Sequence, residues 1–253
     1  MMTDNHSEKI LLAKAKDVVR LSEKQYCAKN TDFLTPSEAA AIRKENIFSS
    51  ESKQEFFGGY EDAERVMFVS YPDYMKDFER SELISALKIT GRDIESLSHR
   101  DFLGSILGLG IKREKIGDIV VSEGAVYVFA AADIADYVKE NLTKIGRCGI
   151  KIETEENLAA LHFEKKTEEI RGTVQSMRLD AVLSVALKTS RSKVMQYIES
   201  ERVNVNWQTV SSGAFSLKEG DVISVRGFGR FKVFEIGGIT KKGRIGITVL
   251  KYI

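Results

Sequence analysis

Between residues 82 and 153 the hydrophobic pattern changes period in a set order, and this stretch constrains the chain more than any other. Residues 83–89 form a short apolar run ended by Thr90-Gly91, and residues 98–107 carry helical spacing. Residues 117–121 and 125–130 are short strands facing each other across Ser122-Glu123-Gly124. Residues 133–144 are again helical, and 149–153 alternate. The order β-α-β-β-α-β is the split βαβ pattern of the ferredoxin-like fold. RNA recognition motifs share it with many proteins that never touch RNA, so it speaks to topology and leaves function open. These strands lack the aromatic-rich RNP signature, so base stacking on the sheet face is not expected.

Before this core, residues 7–29 carry an apolar stripe with Lys and Glu between, and Thr35-Pro36-Ser37-Glu38 is a helix start with a capping box, leading to a second helix to about residue 48. Phe56-Phe57-Gly58-Gly59-Tyr60 breaks the helical pattern. Paired glycines between aromatics suit a packed turn that needs positive φ or close approach, although aromatics beside Gly and Arg65 also suit base stacking. A strand follows at 65–70, ended by Tyr71-Pro72. After the core, residues 154–175 are charged, with a short helix expected at 155–161 and a strand near 169–174. The chain is therefore expected to be α+β in three parts: a helical N-terminal region at 1–62, a ferredoxin-like, RRM-like domain at 63–168, and a C-terminal module at 169–253.

Charge separates the last part from the rest. Residues 172–253 hold 13 Lys/Arg against 6 Asp/Glu, whereas residues 1–171 hold 25 against 31. A basic module on a mildly acidic body suits a polyanion. No apolar run approaches the ~20 residues that span a bilayer, and the N-terminus has no apolar signal-peptide core, so a cytoplasmic protein without membrane insertion is expected. Cys27 and Cys148 are far apart and lack CxxC partners, which argues against a disulfide framework or a metal site. No cofactor motif is present: Gly108-Leu109-Gly110 ends a helix rather than opening one.

Within the basic module, Leu179, Val182, Leu183, Ala186 and Leu187 recur at helical spacing and form one buried face, with Ser176 as cap. Thr189 or Ser190 caps the next helix, and Arg191 and Lys193 lie in its first turn, against the helix dipole. Unpaired backbone N–H groups with these cations make a phosphate site. Val203 and Val205 alternate with Arg202, Asn204 and Asn206, which puts the valines inward and the polar residues outward, toward phosphates and base edges. Arg178, Arg226, Arg230, Lys241, Lys242 and Arg244 extend the positive surface. A second contact is expected at Arg100, Lys112, Arg113 and Lys115, beside the helix at 98–107; a solvated loop explains these four as well. His99-Arg100-Asp101 has the order of the kinase HRD motif, but no Gly-rich loop or DFG accompanies it.

Arg178-Leu179-Asp180, Ser190-Arg191-Ser192, Val203-Asn204-Val205-Asn206 and Lys218-Glu219-Gly220-Asp221 resemble the αL-type RNA-binding domain named after ribosomal small-subunit protein four, the S-four domain. Glu201 and Trp207 stand where that family usually carries glycine. Thr31-Asp32-Phe33-Leu34-Thr35-Pro36, Phe57-Gly58-Gly59-Tyr60-Glu61, Ala63-Glu64-Arg65, the stretch 99–118 and Val205-Asn206-Trp207 resemble the bacterial YlmH family over nearly the whole chain. That resemblance implies RNA and ribosome binding, including 50S subunits carrying stalled peptidyl-tRNA, and in some bacteria a link to cell division.

The expected function is non-enzymatic binding of structured RNA, rRNA or tRNA, on the ribosome. Arg178, Ser190, Arg191, Lys193, Arg202, Asn204, Asn206, Arg226, Arg230, Lys241 and Lys242 are the expected contacts. An RNA-modifying enzyme is the first alternative, since S-four domains are often attached to such enzymes; His99 with Asp101 is the one acid–base pair worth naming. A protein adaptor that meets a cell-division partner through the acidic N-terminal region is the second.

Overall fold

The computed structural model describes residues 2–47, 49–75, 80–122, 124–163, 166–241 and 243–253. The chain is α+β and divides into two compact units, Met1–Phe163 and Glu164–Ile253.

The first unit opens with α1 (Met2–Gln25), strand β1 (Lys29–Asn30) and α2 (Pro36–Glu45). Thr35 and Glu38 form the capping box at the start of α2, and Asn46 ends it in the left-handed conformation at φ 51°; Phe48, the expected end, lies outside the described residues. The region is not helical alone. β2 (Ser52–Phe57) and β3 (Met67–Pro72) complete a three-stranded antiparallel sheet in the order β1-β3-β2. Phe56 and Phe57 belong to β2, so the turn begins only at Gly58. The strand near 65–70 finds its partners in β1 and β2, which a local pattern does not reveal.

Next come β4 (Ile84–Gly91), α3 (His99–Leu107), β5 (Ile116–Ser122), β6 (Ala125–Ala131), α4 (Ala132–Asn141), β7 (Lys144–Ile145) and β8 (Cys148–Glu155). The antiparallel sheet runs β5-β6-β4-β8-β7, so the four main strands have the ferredoxin-like order. α4 stops at Asn141 because Lys144 already pairs with Gly149. The helix expected at 155–161 is a single 3-10 turn, Leu158–Ala160.

Alternation along these strands divides the core. Leu87, Ile89, Val126, Val128 and Ile152 face Phe102 and Ile106 of α3 and Ala135 and Val138 of α4. On the other face Ile84, Ala86, Phe129 and Ala131 pack with Phe33, Met67 and Val69 of the N-terminal region. The sheet face that an RNA recognition motif leaves open is thus covered across these rows by the chain's own N-terminal residues.

The second unit holds β9 (Thr167–Val174), α5 (Leu179–Ala186), α6 (Arg191–Glu199), β10 (Val203–Val205), β11 (Gln208–Thr209), β12 (Val222–Val225), β13 (Gly229–Ile239) and β14 (Ile245–Tyr252). The sheet order is β11-β10-β12-β13-β14-β9. Leu179, Val182, Leu183, Val194 and Ile198 of the helices meet Val203, Val205, Ile223, Val225, Phe231 and Val233 of the sheet. Each fully buried side chain of this kind contributes about 1.5–3 kcal/mol. α5 starts at Leu179, and Ser176 does not cap it. The free N–H groups of Leu179 and Asp180 donate instead to the carbonyls of Phe215 and Gly213, at 2.9 and 3.1 Å. Glu201 and Trp207 occupy left-handed backbone, φ 55° and 63°, at the two positions where glycine is absent. The turns keep a glycine geometry, at a strain of about 1–2 kcal/mol per side chain.

Candidate nucleic-acid interface

Asp180 organises the helix end of the second unit. It lies in the first turn of α5 and is 6% exposed. Arg178, at the N-cap position, donates to both carboxylate oxygens at 3.2 Å, and Arg191, at the start of α6, donates Nη2 to Oδ2 at 2.8 Å. Burial opposes ionisation of Asp180 and is the largest single influence. The hydrogen bonds and charges of Arg178 and Arg191 together outweigh it and hold the carboxyl below its usual range. The two arginine side chains remain 43% and 49% exposed. A carboxylate set into the helix packing thus holds two partly exposed guanidinium groups together, a suitable form for phosphate oxygens. Ser190 caps α6 by accepting from the Lys193 amide at 3.4 Å, and the Lys193 side chain is exposed beside it. Gly213 closes the arrangement: a Cβ there would collide with Met195 and crowd Asp180.

A second group of cations lies on and beside the sheet. Asn204, Ser224 and Arg230 stand in register across β10, β12 and β13. Their neighbours Val203, Val205, Ile223, Val225 and Phe231 are in the core, so these three side chains point to the face away from the helices. Arg202 donates Nη2 to the Arg226 carbonyl at 2.7 Å, and its guanidinium lies 5.0 Å from the Tyr197 ring centroid. Together with Arg226, these residues line a cleft of about 470 Å³.

Asn206 is exposed, as expected, but its side chain is engaged in the turn. At φ 47° its amide donates to Asp221 at 2.8 Å and its carbonyl oxygen accepts from the Val222 N–H at 3.0 Å, so both ends of the side chain hold the turn. The β13–β14 hairpin carries exposed Lys241, and Lys242 lies outside the described residues. Arg244 turns back to Thr173, donating to its hydroxyl at 3.0 Å and its carbonyl at 2.6 Å. It shares a cleft of about 160 Å³ with Arg191.

The four cations expected as a second contact in the first unit divide. Arg100 and Lys112 are exposed. Arg113 turns inward to the Ile116 and Gly117 carbonyls, and burial lowers its pKa. Lys115 sits between Asp32 at 3.0 Å and Asp133 at 2.8 Å. Arg113 is thus engaged by carbonyls of its own turn and Lys115 by carboxylates from distant parts of the chain, whereas among the described residues no such partner buries Arg100 or Lys112.

Those partners mark a seam. Asp118 accepts from the Tyr60 hydroxyl at 2.8 Å and from the N–H groups of Glu64 and Arg65 at 2.6 and 3.1 Å. Arg65 then donates to the carbonyls of Ile116 and Phe33. Gly59, at φ 99°, lies against the Phe129 ring, and Gly117 against the Phe33 ring, with no room for a Cβ at either. The aromatic-glycine motif is a packed turn. Burial, then the charge of Asp118, pushes the Tyr60 hydroxyl far above its ordinary pKa. His99 is held below the ordinary histidine value by partial burial and then by Arg113, against the pull of Asp118. Asp101 is engaged elsewhere. It closes a capping box with Ser98, accepting from its N–H and hydroxyl at 2.8 and 2.7 Å, so it does not pair with His99.

Sequence comparison matches residues 70–159 to the family model described as "Putative RNA-binding domain in YlmH" and residues 177–223 to the model described as "S4 domain". Over 248 residues the chain is 36% identical to "Ribosome-associated protein quality control protein P2" of Bacillus subtilis (strain 168), covering 95% of this chain and 94% of that relative. A solved structure, "Cell division protein ylmH from Streptococcus pneumoniae", aligns with a TM-score of 0.51 at 23% identity, over 59% of this chain and 91% of that one, and shares the fold.

Proposed function

The chain belongs to the YlmH family, and from that premise we propose that it binds structured RNA on the ribosome, without catalysis, through the Asp180-centred end of its S-four domain. The observation that carries the reading is the pair of guanidinium groups fixed on one buried carboxylate beside a capped helix start. Paired, pre-oriented arginines suit phosphates, and their position supports recognition by backbone shape more than by sequence. Lys193 adds a third cation to this end. Arg202, on the sheet face, is the fourth.

The ribosome-associated quality-control role named for the Bacillus subtilis relative supports the ribosome as the place of action, and 50S subunits carrying stalled peptidyl-tRNA are the target in this reading. The engagement of Asp101 as a helix cap weighs against His99 and Asp101 as a catalytic pair.

Co-sedimentation with purified 50S subunits tests the reading. The double variant Arg191→Gln, Lys193→Glu should leave the pellet while keeping its circular dichroism. If four phosphates are neutralised, affinity for duplex RNA should fall with salt at a log–log slope of roughly −3 to −4. Unchanged sedimentation of a folded double variant would rule out this face.

A further inference from the structure

We infer that the cleft on the sheet face of the C-terminal unit binds one nucleotide of an unpaired RNA strand. This rests on the RNA-binding reading and adds to it a second kind of contact, made by residues other than the Asp180 cluster.

The floor of the cleft is the row Asn204–Ser224, continued by Arg230 on β13. One side is the turn between β12 and β13, where Gly227 and Gly229 adopt φ 90° and 99°. The Arg226 N–H donates to the Arg202 carbonyl at 2.9 Å, and the Arg202 side chain returns a hydrogen bond to the Arg226 carbonyl at 2.7 Å. Gly227 is at φ 90°, and a Cβ there would come within 3.1 Å of the Arg202 guanidinium, so the turn and the guanidinium lie close together. Tyr197 approaches that guanidinium and does not line the cleft. Arg202 is therefore a fixed wall of the site.

The chemistry of the lining names the ligand class. Arg202, Arg226 and Arg230 are three arginines among the residues that line a cleft of about 470 Å³, and Glu201 is the one acidic residue among them. That volume is within the range of about 300–1,000 Å³ of clefts that enclose small ligands. A lining with three arginines suits a phosphodiester. The Asn204 amide offers a donor and an acceptor, and Ser224 a hydroxyl, which suits a base edge or a 2′-hydroxyl. A duplex presents a convex backbone with its base edges paired. A nucleotide splayed from a loop, bulge or single strand can put its phosphate on the arginines and its base or sugar on the amide and hydroxyl. This favours an unpaired strand.

Fluorescence anisotropy with the full chain and two probes tests this: a short unstructured RNA oligonucleotide and a blunt-ended RNA hairpin. Ser224→Leu fills the cleft without changing charge, and Arg226→Gln with Arg230→Gln removes the phosphate contacts. Each should weaken the unstructured probe about tenfold and leave the hairpin within about twofold, since a lost contact of ordinary strength is worth about that ratio. The double glutamine variant should also flatten the single-strand salt slope by roughly 1.4. Thermal melts confirm that both variants fold. Equal loss on both probes would mean general charge attraction, and no loss on either would mean an idle cleft; both overturn the inference. The Arg191→Gln, Lys193→Glu variant separates it from the reading beneath it. Failure of the helix face leaves this variant's hairpin binding intact, whereas failure of the cleft leaves single-strand binding intact in Ser224→Leu.

Discussion

Replacing Asp180 by asparagine should weaken RNA binding although it makes the surface more positive. The carboxylate is 8% exposed and receives three charged hydrogen bonds from Arg178 and Arg191. Such bonds are worth about 1.5–3 kcal/mol each when buried. Both arginines are more than 40% exposed and can rehydrate, so a loss of about 2 kcal/mol is expected after that discount. For a unit of this size that lowers Tm by roughly 10 °C. The effect on RNA has two opposed parts. Removing a negative charge roughly 7 Å from a phosphate gains about 0.6 kcal/mol in water. Releasing two guanidinium groups from their fixed positions costs about 0.5–1.5 kcal/mol each on binding. Positioning therefore wins by about 1 kcal/mol, roughly a fivefold loss of affinity. Anisotropy with the RNA hairpin, below the melting temperature and over a range of salt, measures it. The salt slope should not change, because the same cations remain. Affinity equal to or above wild type would refute the positioning argument and leave only net charge. A pH series adds a second check. The folded Asp180 pKa lies below its unfolded value, so the carboxylate's contribution to stability is complete above about pH 4 and disappears as pH falls through the folded pKa. Wild type and variant should differ in Tm at neutral pH and converge only in acid.

Other perturbations reach the turns and the seam. Asn206→Ala should lower stability by about 1–2 kcal/mol through the lost turn bonds, while the folded protein keeps its RNA affinity; a fall in affinity without a fall in Tm would show that Asn206 is a contact and not a turn residue. Glu201→Gly should relieve left-handed strain and raise stability by about 1 kcal/mol in a denaturant melt, and it should strengthen binding of the unstructured RNA by removing the cleft's carboxylate. Gly59→Ala should destabilise the first unit by about 2–4 kcal/mol, since it adds a left-handed alanine to an overlap with the Phe129 ring; a thermal melt within about 1 kcal/mol of wild type would contradict the packed-turn assignment. Asp118→Ala should cost about 3 kcal/mol by orphaning the Tyr60 hydroxyl and the N–H groups of Glu64 and Arg65, and hydrogen exchange at those two amides should accelerate.

Periodicity was enough for the inner elements. The run at 83–89, the paired strands around residue 123 and the helical spacing at 98–107 correspond to β4, β5, β6 and α3, because alternating or helical burial is written locally. It was not enough for β2. Ser52–Phe57 has no clear alternation, and its strand exists because β3 lies beside it. Nor did local reading show that α5 borrows its cap from the carbonyls of Gly213 and Phe215, more than thirty residues away.

The same division holds for the basic residues. Their number, their concentration after residue 172 and the alternation that turned Asn204 outward were legible from residue order alone. Which cations face water was not. Arg113 and Lys115 read the same as Arg100 and Lys112 in the chain, yet the first pair is engaged by the Ile116 and Gly117 carbonyls and by Asp32 and Asp133. Asp180 reads as one more charge on a helix until folding brings Arg191 to it across eleven residues. Sequence by itself determined the order of elements, the buried stripes and the sign of each region, because these follow from composition and short-range spacing. Only the tertiary structure decided which charges are available to a ligand, because a charged group's partners are set by distance in space, and in this chain the nearest carboxylate or carbonyl often lies far along the sequence.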